Sequence, residues 1–411
     1  MKPFFQLISA DQAYGHIGNM PVVETENVDS RSACGRVVAE DISSAENVPH
    51  FERSNMDGYA VRACDTFGAS ETSPVGLPVS GRIDAGQQAA PSLSEASAMA
   101  ISTGAMMPAG ADAVVIVENT EEPIEGTVLI KAEAVPGQNL VRLGEDLKIG
   151  EQVFQKGRRL SGGDVGALTG IGVTTFTAYR LPRVGIIVTG DEIVEPGEEL
   201  KPGQVRNVNQ YALGALARRS GAIVVDYGVV GDRERELCDC LAEATTANDC
   251  VFVSGGSSMG TRDLTMAAIK TLPEARALFH GVAIAPGKPT ILASCKGSAV
   301  MGLPGNPAAA AVVFTLFGST LIRVLGGETL QRVMLTRPRT RALLASAVGA
   351  TAGRENYVRV KLEPGTTLAT AVPLRGKSAS LSTIAGADGM VCIKPSSEGL
   401  RAGEEVEVLL F

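Results

Sequence analysis

The segment from residue 249 to residue 307 constrains the fold more than any other part of this 411-residue chain. Its apolar run Val251–Val253 predicts a buried strand, which leads directly into the sequence SGGSSMG at 254–260. Glycines let main-chain N–H groups approach a ligand closely, and such a loop after a strand is a common anion site in open α/β sheets. A lone Gly-Gly is more often a tight turn. Two further Gly-rich turns, at 286–289 and 302–307, favour the ligand site.

From residue 183 onward the chain alternates between apolar strands and amphipathic helices. The predicted strands are at 184–188, 222–230 and 250–253, and the helices between them are at 209–219 and 233–247. This alternation is typical of a parallel sheet covered by helices. Acidic residues follow the first two strands, so we expect them at the carboxyl edge of the sheet, where open α/β sheets bind ligands.

The rest of the chain is rich in short strands. Short apolar runs separated by Gly and Pro fill 70–146 and 331–411, whereas 147–180 contains a short helix and is too small to fold alone. We therefore predict a multidomain α/β protein with these parts: a split N-terminal domain (1–48 plus 147–180), an inserted β-rich domain (49–146), an α/β domain (181–330) and a C-terminal β domain (331–411).

Charge and cysteine usage exclude several classes of protein. The net charge of −8 argues against a nucleic-acid-binding surface. Seven scattered cysteines without a CxxC pair indicate reduced thiols in the cytoplasm, and three histidines without ligand spacing argue against a zinc site.

The N-terminus has too short an apolar run for a signal peptide. The uncharged stretch Gly302–Ile322 predicts a buried helix rather than a membrane span, with Asn306 as its N-cap and Pro307 in its first turn.

The predicted crevice combines negative and positive groups. Glu192, Asp232 and Asp263 supply carboxylates, and Lys288 supplies a point charge suited to an oxyanion. Carboxylates beside a phosphate-type ligand usually hold a hard cation between them, most often Mg²⁺. The chain has neither GxxxxGK[ST] nor GxGxxG after the first strand, which argues against a P-loop NTPase and a dinucleotide enzyme. These residues predict a metal-assisted site for a phosphorylated small molecule without identifying the molecule.

Seven motifs carry a resemblance that spans nearly the whole chain. They are SNMDGYAV at 54–61, STGAMMPAGADAVV at 102–115, GEDL at 144–147, VTGDEI at 188–193, SGGSSMGTRD at 254–263, PGKP at 286–289 and GLPGNP at 302–307. In order and spacing the chain resembles the molybdopterin molybdenumtransferase family, which includes the C-terminal domain of gephyrin.

The resemblance implies a fold and a reaction. The fold is a molybdopterin-binding three-layer α/β domain, a split N-terminal domain, an inserted β-rich domain and a C-terminal β-barrel-like domain. Members are homodimers whose active cleft lies between the α/β domain of one subunit and the inserted domain of the other. The implied reaction takes adenylylated molybdopterin and molybdate, depends on Mg²⁺, releases AMP and leaves molybdenum on the dithiolene. A molybdopterin adenylyltransferase and apo-molybdoenzymes are the implied protein partners.

The resemblance also implies site residues. Four acidic candidates are catalytic, and all except Asp232 also serve as metal ligands: Asp57, Glu192, Asp232 and Asp263. On sequence chemistry alone, a turn residue is the favoured interpretation of Asp57. The substrate-binding candidates are Thr103, Asp146, Thr189, Gly190, Gly255, Gly256, Ser257, Ser258, Gly260, Pro286, Lys288, Pro304, Asn306, Pro307, Arg354 and Ser378. Within this set, Arg354 and Ser378 resemble family positions that meet molybdate.

Two positions depart from the family pattern. Members commonly have Lys directly before PGK and Ser two residues after the proline of GNP, where this chain has Ala285 and Ala309. Two missing donors weaken an oxyanion site unless another cation substitutes. Two other functions therefore stay open: a pterin-binding scaffold or degenerate paralogue with weak or no metal insertion, and an adenylyltransferase of molybdopterin. The latter does not explain the inserted and C-terminal domains.

Overall fold

The computed structural model describes residues 7–87, 92–256 and 264–411. The chain divides into two compact units. The larger unit comprises Met1–Glu40, Lys156–Gly162 and Thr175–Phe411, and the smaller unit comprises Asp41–Gln155 and Gly163–Thr174. Four predicted site residues lie outside the described residues: Ser257, Ser258, Gly260 and Asp263.

The strands and helices have the following bounds. Before residue 181 the strands are β1 (Thr25–Asp29), β2 (Val37–Val38), β3 (Ile42–Ser43), β4 (Arg53–Ser54), β5 (Gly58–Val61), β6 (Val75–Ile83), β7 (Ala98–Ile101), β8 (Ala113–Ile116), β9 (Thr120–Ile124), β10 (Thr127–Ile130), β11 (Leu140–Val141), β12 (Gln152–Phe154) and β13 (Thr175–Tyr179). Those that follow are β14 (Arg183–Thr189), β15 (Ile193–Val194), β16 (Val205–Arg206), β17 (Ile223–Val230), β18 (Cys250–Ser254), β19 (Arg276–His280), β20 (Ile284–Ala285), β21 (Ile291–Cys295), β22 (Ser298–Leu303), β23 (Arg339–Leu344), β24 (Val348–Gly349), β25 (Glu355–Glu363), β26 (Ala369–Pro373), β27 (Gly389–Ile393), β28 (Gly399–Leu400) and β29 (Glu405–Leu410). The α-helices are α1 (Ala10–Gly18), α2 (Gly162–Gly170), α3 (Asn209–Arg219), α4 (Glu234–Ala247), α5 (Leu264–Thr271), α6 (Pro307–Val313), α7 (Ser319–Leu325), α8 (Leu330–Leu335) and α9 (Ser382–Ala385).

The central sheet of the larger unit has the strand order β17-β14-β18-β22-β21-β19. The first four strands are parallel, as predicted for β14, β17 and β18. The sheet then continues with β21 and β19, which run antiparallel to their neighbours and which the sequence pattern did not predict. The carboxyl ends of β14, β17 and β18 therefore lie along one edge of the sheet.

Two apolar clusters cover the two faces of this sheet. On β18 the side chain of Phe252 packs into one cluster with Leu213, whereas Val251 and Val253 pack into the other with Leu237. Alternate residues of a strand point to opposite faces, so a strand buried on both sides is apolar throughout. Each fully buried side chain of this size contributes about 1.5–3 kcal/mol to the stability of the fold. Burial of both faces therefore favours an arrangement in which the sheet lies between two layers of helices.

Helices α6 and α7 form one continuous apolar helical segment, because a short π-helix at Phe314–Gly318 joins them. Among the described residues, Pro307–Leu325 is the helical stretch long and apolar enough to cross a membrane, and 83% of its most apolar window is buried inside the protein. As predicted, it begins with Asn306 at the N-cap and Pro307 in the first turn.

The C-terminal part of the larger unit forms a closed β-barrel. Its strand order is β20-β25-β26-β23-β29-β27, and an additional pairing of β25 with β27 closes the sheet. The interior is filled by small and branched apolar side chains: Ala342, Leu344, Val360, Ala371, Val391, Val406 and Val408. Closure removes the exposed edges that an open sheet would present.

Strand pairs join the chain on either side of residues 49–146. In the larger unit β13 pairs with β1 and β2, and in the smaller unit β12 pairs with β3. The smaller unit is built around a six-stranded sheet of order β8-β5-β7-β6-β10-β9. The exact bounds of the four predicted domains stay a prediction.

Candidate active site

A cavity of about 1030 Å³ lies at the carboxyl edge of the central sheet. The segments after β14, β18 and β22 supply most of its walls, in keeping with the crevice expected for an open α/β sheet. The predicted site residues that line it are Thr189, Gly190, Glu192, Asp232, Gly255, Gly256, Pro304, Asn306 and Pro307. Their functional roles stay predictions.

Two glycines shape the cavity floor beside Thr189. Gly255 has φ +107° and Gly256 has φ +64°, which are left-handed conformations. A Cβ on Gly255 would lie 2.4 Å from the carbonyl oxygen of Thr189, and one on Gly256 would lie 2.9 Å from Oγ1 of Thr265. A side chain at either position would be strained and would force a neighbouring atom to shift, so the main chain itself forms this part of the wall.

The hydroxyl of Thr189 is buried at this point. The residue is 4% exposed, and among the described residues its Oγ1 has no hydrogen-bond partner. A buried hydroxyl without a partner costs about 1–3 kcal/mol. Because Thr189 lines the cavity, a ligand oxygen or nitrogen can take up this unused hydrogen bond.

The acidic residues after β14 and β17 influence one another. The main-chain N–H of Asp232 donates to Oδ1 of Asp191 at 3.1 Å. Burial raises the pKa of Asp232, and the charges of Glu192 and Asp191 raise it further. Excess negative charge at one point of the wall favours a cation or a proton there. In the described ranges, no three or more His, Cys, Asp or Glu side chains come together as a metal site.

Asn209 organises the cavity wall, although the sequence analysis assigned it only to a helix. It is buried at the start of α3, and its Nδ2 donates to Oγ of Ser254 and to the carbonyl oxygen of Gly305, both at 2.7 Å. Ser254 Oγ in turn donates to the carbonyl oxygen of Pro304 at 3.2 Å. One amide therefore ties the end of β18 to the turn after β22. The sequence feature that could have identified Asn209 is a polar residue in the first turn of a helix that follows a loop.

Asn306 and Ser378 are in contact, so Ser378 lies next to a residue of the cavity wall. Nδ2 of Asn306 donates to Ser378 Oγ at 3.0 Å, and the N–H of Ala308 donates to the carbonyl oxygen of Ser378 at 3.0 Å. Ala379 and Leu381 continue this wall. Asn306 occupies the N-cap position, but its side chain makes no capping bond because it reaches across to Ser378.

Four predicted residues of the larger unit are not among the described residues that line the cavity: Pro286, Lys288, Arg354 and Ser378. Ala285, which precedes Pro286, pairs with Asn356, and the N–H of Glu355 donates to the carbonyl oxygen of Ala283 at 3.0 Å. Arg354 is thus adjacent to the segment that leads into PGKP. Its Nε is buried without a partner among the described residues.

The smaller unit contains Asp57, Thr103 and Asp146. Oδ1 of Asp57 accepts a hydrogen bond from the N–H of Thr103 at 2.7 Å. The N–H of Asp146 donates to the carbonyl oxygen of Val48 at 3.0 Å. Asp57 therefore holds a turn together, as the turn interpretation expects, and at the same time brings two of the predicted site residues into contact.

Family models match three successive parts of the chain. Residues 8–172 match "MoeA N-terminal region (domain I and II)", residues 185–324 match "Probable molybdopterin binding domain" and residues 341–411 match "MoeA C-terminal region (domain IV)".

Curated relatives and solved structures agree with these matches. A molybdopterin molybdenumtransferase of Bacillus subtilis is 35% identical over 394 residues, covering 94% of this chain and 90% of the relative. Its counterpart in Haemophilus influenzae is 36% identical over 305 residues, covering 74% of each chain. Two structures of molybdopterin biosynthesis moeA protein from Pyrococcus horikoshii have TM-scores of 0.80 and 0.84 at 38% and 30% identity. They cover 98% and 99% of this chain and 99% and 100% of their own.

The predicted multidomain fold is thereby confirmed, including the α/β domain and the C-terminal barrel. The Bacillus subtilis relative and the second Pyrococcus horikoshii structure are each at least 30% identical to this chain, over 90% or more of both chains. The chain belongs to the molybdopterin molybdenumtransferase family, a family of transferases in molybdenum cofactor biosynthesis.

Proposed function

We propose that this chain inserts molybdenum from molybdate into adenylylated molybdopterin, with hydrolysis of the adenylate and release of AMP. The observation that carries the proposal is the cavity at the carboxyl edge of the central sheet. It combines a glycine-built wall and an unused buried hydroxyl with two carboxylates, Glu192 and Asp232. Membership of the family supplies the class of reaction.

Gly255, Gly256 and Thr189 form the part of the cavity suited to an oxygen-rich ligand. The two glycines leave the main chain open to close approach, and the Thr189 hydroxyl has no hydrogen-bond partner in the part of the chain that the structure describes. A phosphate or the polar edge of a pterin satisfies that hydroxyl and removes the cost of leaving it unpaired. We therefore assign substrate binding to these three residues.

The carboxylates suit the hydrolytic step. Water attacks the phosphorus of the adenylate and the phosphoanhydride bond breaks. AMP then carries the oxygen of the attacking water, and the bridging oxygen stays on the phosphate of the pterin, which is the leaving group. Asp232 accepts the proton of the attacking water, because its raised pKa makes it a better base than an ordinary aspartate. Gly190 and Pro304 line the same cavity.

The donor set fits Mg²⁺ as the expected cation. Magnesium is commonly held by one or two carboxylates together with substrate phosphates. Glu192 would hold it here, with Asp57 and Asp263 as the further predicted ligands. Burial first, and then the charges of Glu192 and Asp191, raise the pKa of Asp232, so a cation bound at this wall would be favoured. Bound there, the ion would neutralise charge on the substrate phosphates.

We also propose that the protein works as a cytoplasmic homodimer. The family resemblance supports a cleft to which Asp57, Thr103 and Asp146 of one subunit and the cavity of the other contribute. It further supports substrate delivery by a molybdopterin adenylyltransferase and product transfer to apo-molybdoenzymes. Pro286, Lys288, Pro307 and Arg354 are assigned to shaping the pocket and to the molybdate subsite.

The scaffold alternative rests on two alanines. Ala309 is 4% exposed within α6, and Ala285 is paired in a short strand, so neither presents a charged or hydroxyl group. Incubation of the purified protein with adenylylated molybdopterin, Mg²⁺ and molybdate distinguishes the two functions. AMP release together with activation of an apo-molybdoenzyme supports the enzyme, whereas pterin binding without AMP release supports the scaffold.

A further inference from the structure

Arg206 is the only positively charged side chain among the described residues that line the cavity. The charged residues that share this lining are Glu192 and Asp232, both acidic. A phosphorylated substrate and molybdate are anions, so two carboxylates alone repel them. No short sequence pattern identifies Arg206, because it lies in the non-periodic segment between β14 and α3.

The guanidinium of Arg206 is only partly used by the protein. Its Nε donates to the carbonyl oxygen of Pro196 at 3.0 Å, which fixes the direction of the side chain. Within the described ranges, no hydrogen bond or ion pair engages its two terminal Nη nitrogens. Although Arg206 lines the same cavity as Glu192 and Asp232, it forms an ion pair with neither. Two donors of a planar fork therefore remain for a ligand.

The main chain that carries Arg206 is held on both sides. The N–H of Val205 donates to the carbonyl oxygen of Glu192 at 2.8 Å, and that of Asn207 donates to the carbonyl oxygen of Val194 at 2.8 Å. These two bonds place Arg206 in a fixed register beside the turn that bears Glu192.

Glu195 anchors the same segment to helix α3. Its two carboxylate oxygens accept hydrogen bonds from Asn207 Nδ2 at 3.1 Å and from the Tyr211 hydroxyl at 2.6 Å. These hydrogen bonds, that of Tyr211 first, lower the pKa of Glu195. An arginine on so constrained a segment loses little further freedom when it binds an anion.

We propose that Arg206 binds a tetrahedral oxyanion of the substrates, either a phosphate of the adenylylated pterin or molybdate itself. The planar fork of arginine donates two parallel hydrogen bonds to such an oxyanion. This inference rests on the proposed function and extends it, because it names the cation that offsets the two carboxylates. It also supplies a positive charge to a chain that has Ala285 where relatives commonly have Lys.

Binding to the full-length protein tests the assignment. AMP and molybdate are titrated separately by calorimetry into the wild type, Arg206→Gln and Arg206→Lys. Arg183→Gln is the matched control: Arg183 is also exposed, and its Nε also donates to a main-chain carbonyl, that of Ala247 at 3.2 Å, but it begins β14 at the opposite end of the sheet. Thermal melting of each variant checks the fold.

We expect Arg206→Gln to weaken the binding of one of the two anions by about tenfold to a hundredfold, the effect of losing charge-assisted hydrogen bonds. Arg206→Lys retains part of the affinity, and Arg183→Gln binds as the wild type does. The affected anion identifies the subsite as a phosphate or a molybdate subsite. Wild-type affinity of Arg206→Gln for both anions overturns the assignment. If Arg206→Gln melts early, a well-folded Arg206→Lys with unchanged affinity for both overturns it equally.

Inorganic pyrophosphate separates this inference from the proposed function. If the wild type releases no AMP from the adenylylated pterin but binds pyrophosphate in an Arg206-dependent way, the proposed function fails and the anion subsite stands. If the wild type turns over substrate and Arg206→Gln has an unchanged KM for both substrates, the function stands and the role of Arg206 fails. If the wild type binds neither AMP, molybdate nor pyrophosphate, the proposed anion subsite is wrong.

Discussion

The carboxylate of Asp57 accepts a hydrogen bond from the main-chain N–H of Thr103, 46 residues further along the chain, at 2.7 Å. Asp57 precedes β5, where the next residue, Gly58, leaves no room for a Cβ, which would lie 2.0 Å from the carbonyl oxygen of Val115. The turn is thus fixed by both a hydrogen bond and close packing. Asp57 can have a structural role and a functional role at the same time. Two different substitutions of Asp57 are needed to distinguish them.

Asp57→Asn and Asp57→Ala are expected to differ in stability and to agree in activity. Asparagine keeps an oxygen acceptor for the Thr103 N–H, whereas alanine removes it at a cost of about 1 kcal/mol for an exposed hydrogen bond. If the charge of Asp57 serves the reaction, both variants lose turnover, and only Asp57→Ala lowers the unfolding midpoint. Urea denaturation and AMP release measure the two effects. Full activity of Asp57→Asn would limit Asp57 to the turn.

Gly255→Ala is expected to disrupt the cavity floor. A Cβ at this left-handed position would lie 2.4 Å from the main-chain oxygen of Thr189, so the wall must shift. We expect a loss of stability of at least about 1–3 kcal/mol and a loss of pterin binding. Gly15→Ala is the control, because Gly15 lies within helix α1 with nothing within 4 Å of its Cβ position. That variant should gain up to about 1 kcal/mol. Unchanged pterin affinity of Gly255→Ala would argue against this wall as the binding surface.

Glu328 stabilises the larger unit through two arginines. It is 2% exposed and accepts hydrogen bonds from Arg159 Nε at 2.7 Å and Arg323 Nε at 2.8 Å. Glu328→Gln should cost about 3 kcal/mol in the free energy of unfolding, because it leaves two cations around an uncharged group. The exposed pair Arg339–Glu407 is the control, and Glu407→Gln should cost less than about 1 kcal/mol. Equal unfolding midpoints for the two variants would contradict this role.

The same residue predicts a pH dependence of stability. Burial alone would raise the pKa of Glu328, but the hydrogen bond from Arg323 and the charge of Arg159 outweigh it and lower the pKa below the ordinary 4.5. A lowered folded-state pKa contributes stability that is fully present above pH 4.5 and is lost as the pH falls through the folded-state pKa. The wild type and Glu328→Gln should therefore differ less and less in their free energy of unfolding as the pH is lowered below 4.5. A difference that stays constant there would show that the charge of Glu328 contributes nothing.

Asp191→Asn should shift the acid limb of the pH–rate profile. Burial, Glu192 and Asp191 all raise the pKa of Asp232, and asparagine at 191 removes one charge while keeping an oxygen to accept the Asp232 N–H. If ionised Asp232 is the base, kcat/KM rises with pH through the pKa of Asp232. The variant should then reach its plateau at a lower pH than the wild type. An unmoved limb would assign the base to another group.

The sequence predicted the local elements well and the long-range contacts poorly. Strands β14 and β18 follow from continuous apolar runs, because a strand that is buried on both faces is apolar throughout. Strand β17 was also predicted, although Asp226 and Gly228 interrupt its apolar residues and none of them is fully buried. The antiparallel strands β19 and β21 were not predicted. Each has only five residues, and β19 begins with Arg276, ends with His280 and is mostly exposed or half-buried, so its sequence carries a weak strand pattern. Asp191, Glu192 and Asp232 could be placed at the sheet edge because each directly follows a strand.

Other parts of the site depend on contacts that no short pattern contains. Asn306 meets Ser378 across 72 residues, and Asn209 meets Gly305 across 96. Arg206 lies in a segment rich in Pro, Gly and Glu with no hydrophobic period, where side-chain direction is set by single hydrogen bonds. Family motifs supplied the candidates Thr189, Gly255 and Pro304, which the structure then brings to one cavity.

AMP release from adenylylated molybdopterin, measured across a molybdate titration with Mg²⁺ for the wild type and for Asp232→Asn, tests the central claim most directly. The account predicts molybdate-dependent AMP release and reconstitution of an apo-molybdoenzyme by the wild type, and loss of AMP release with retained pterin binding in Asp232→Asn. Tight pterin binding by the wild type without AMP release at any molybdate concentration would contradict it, as would undiminished turnover by Asp232→Asn.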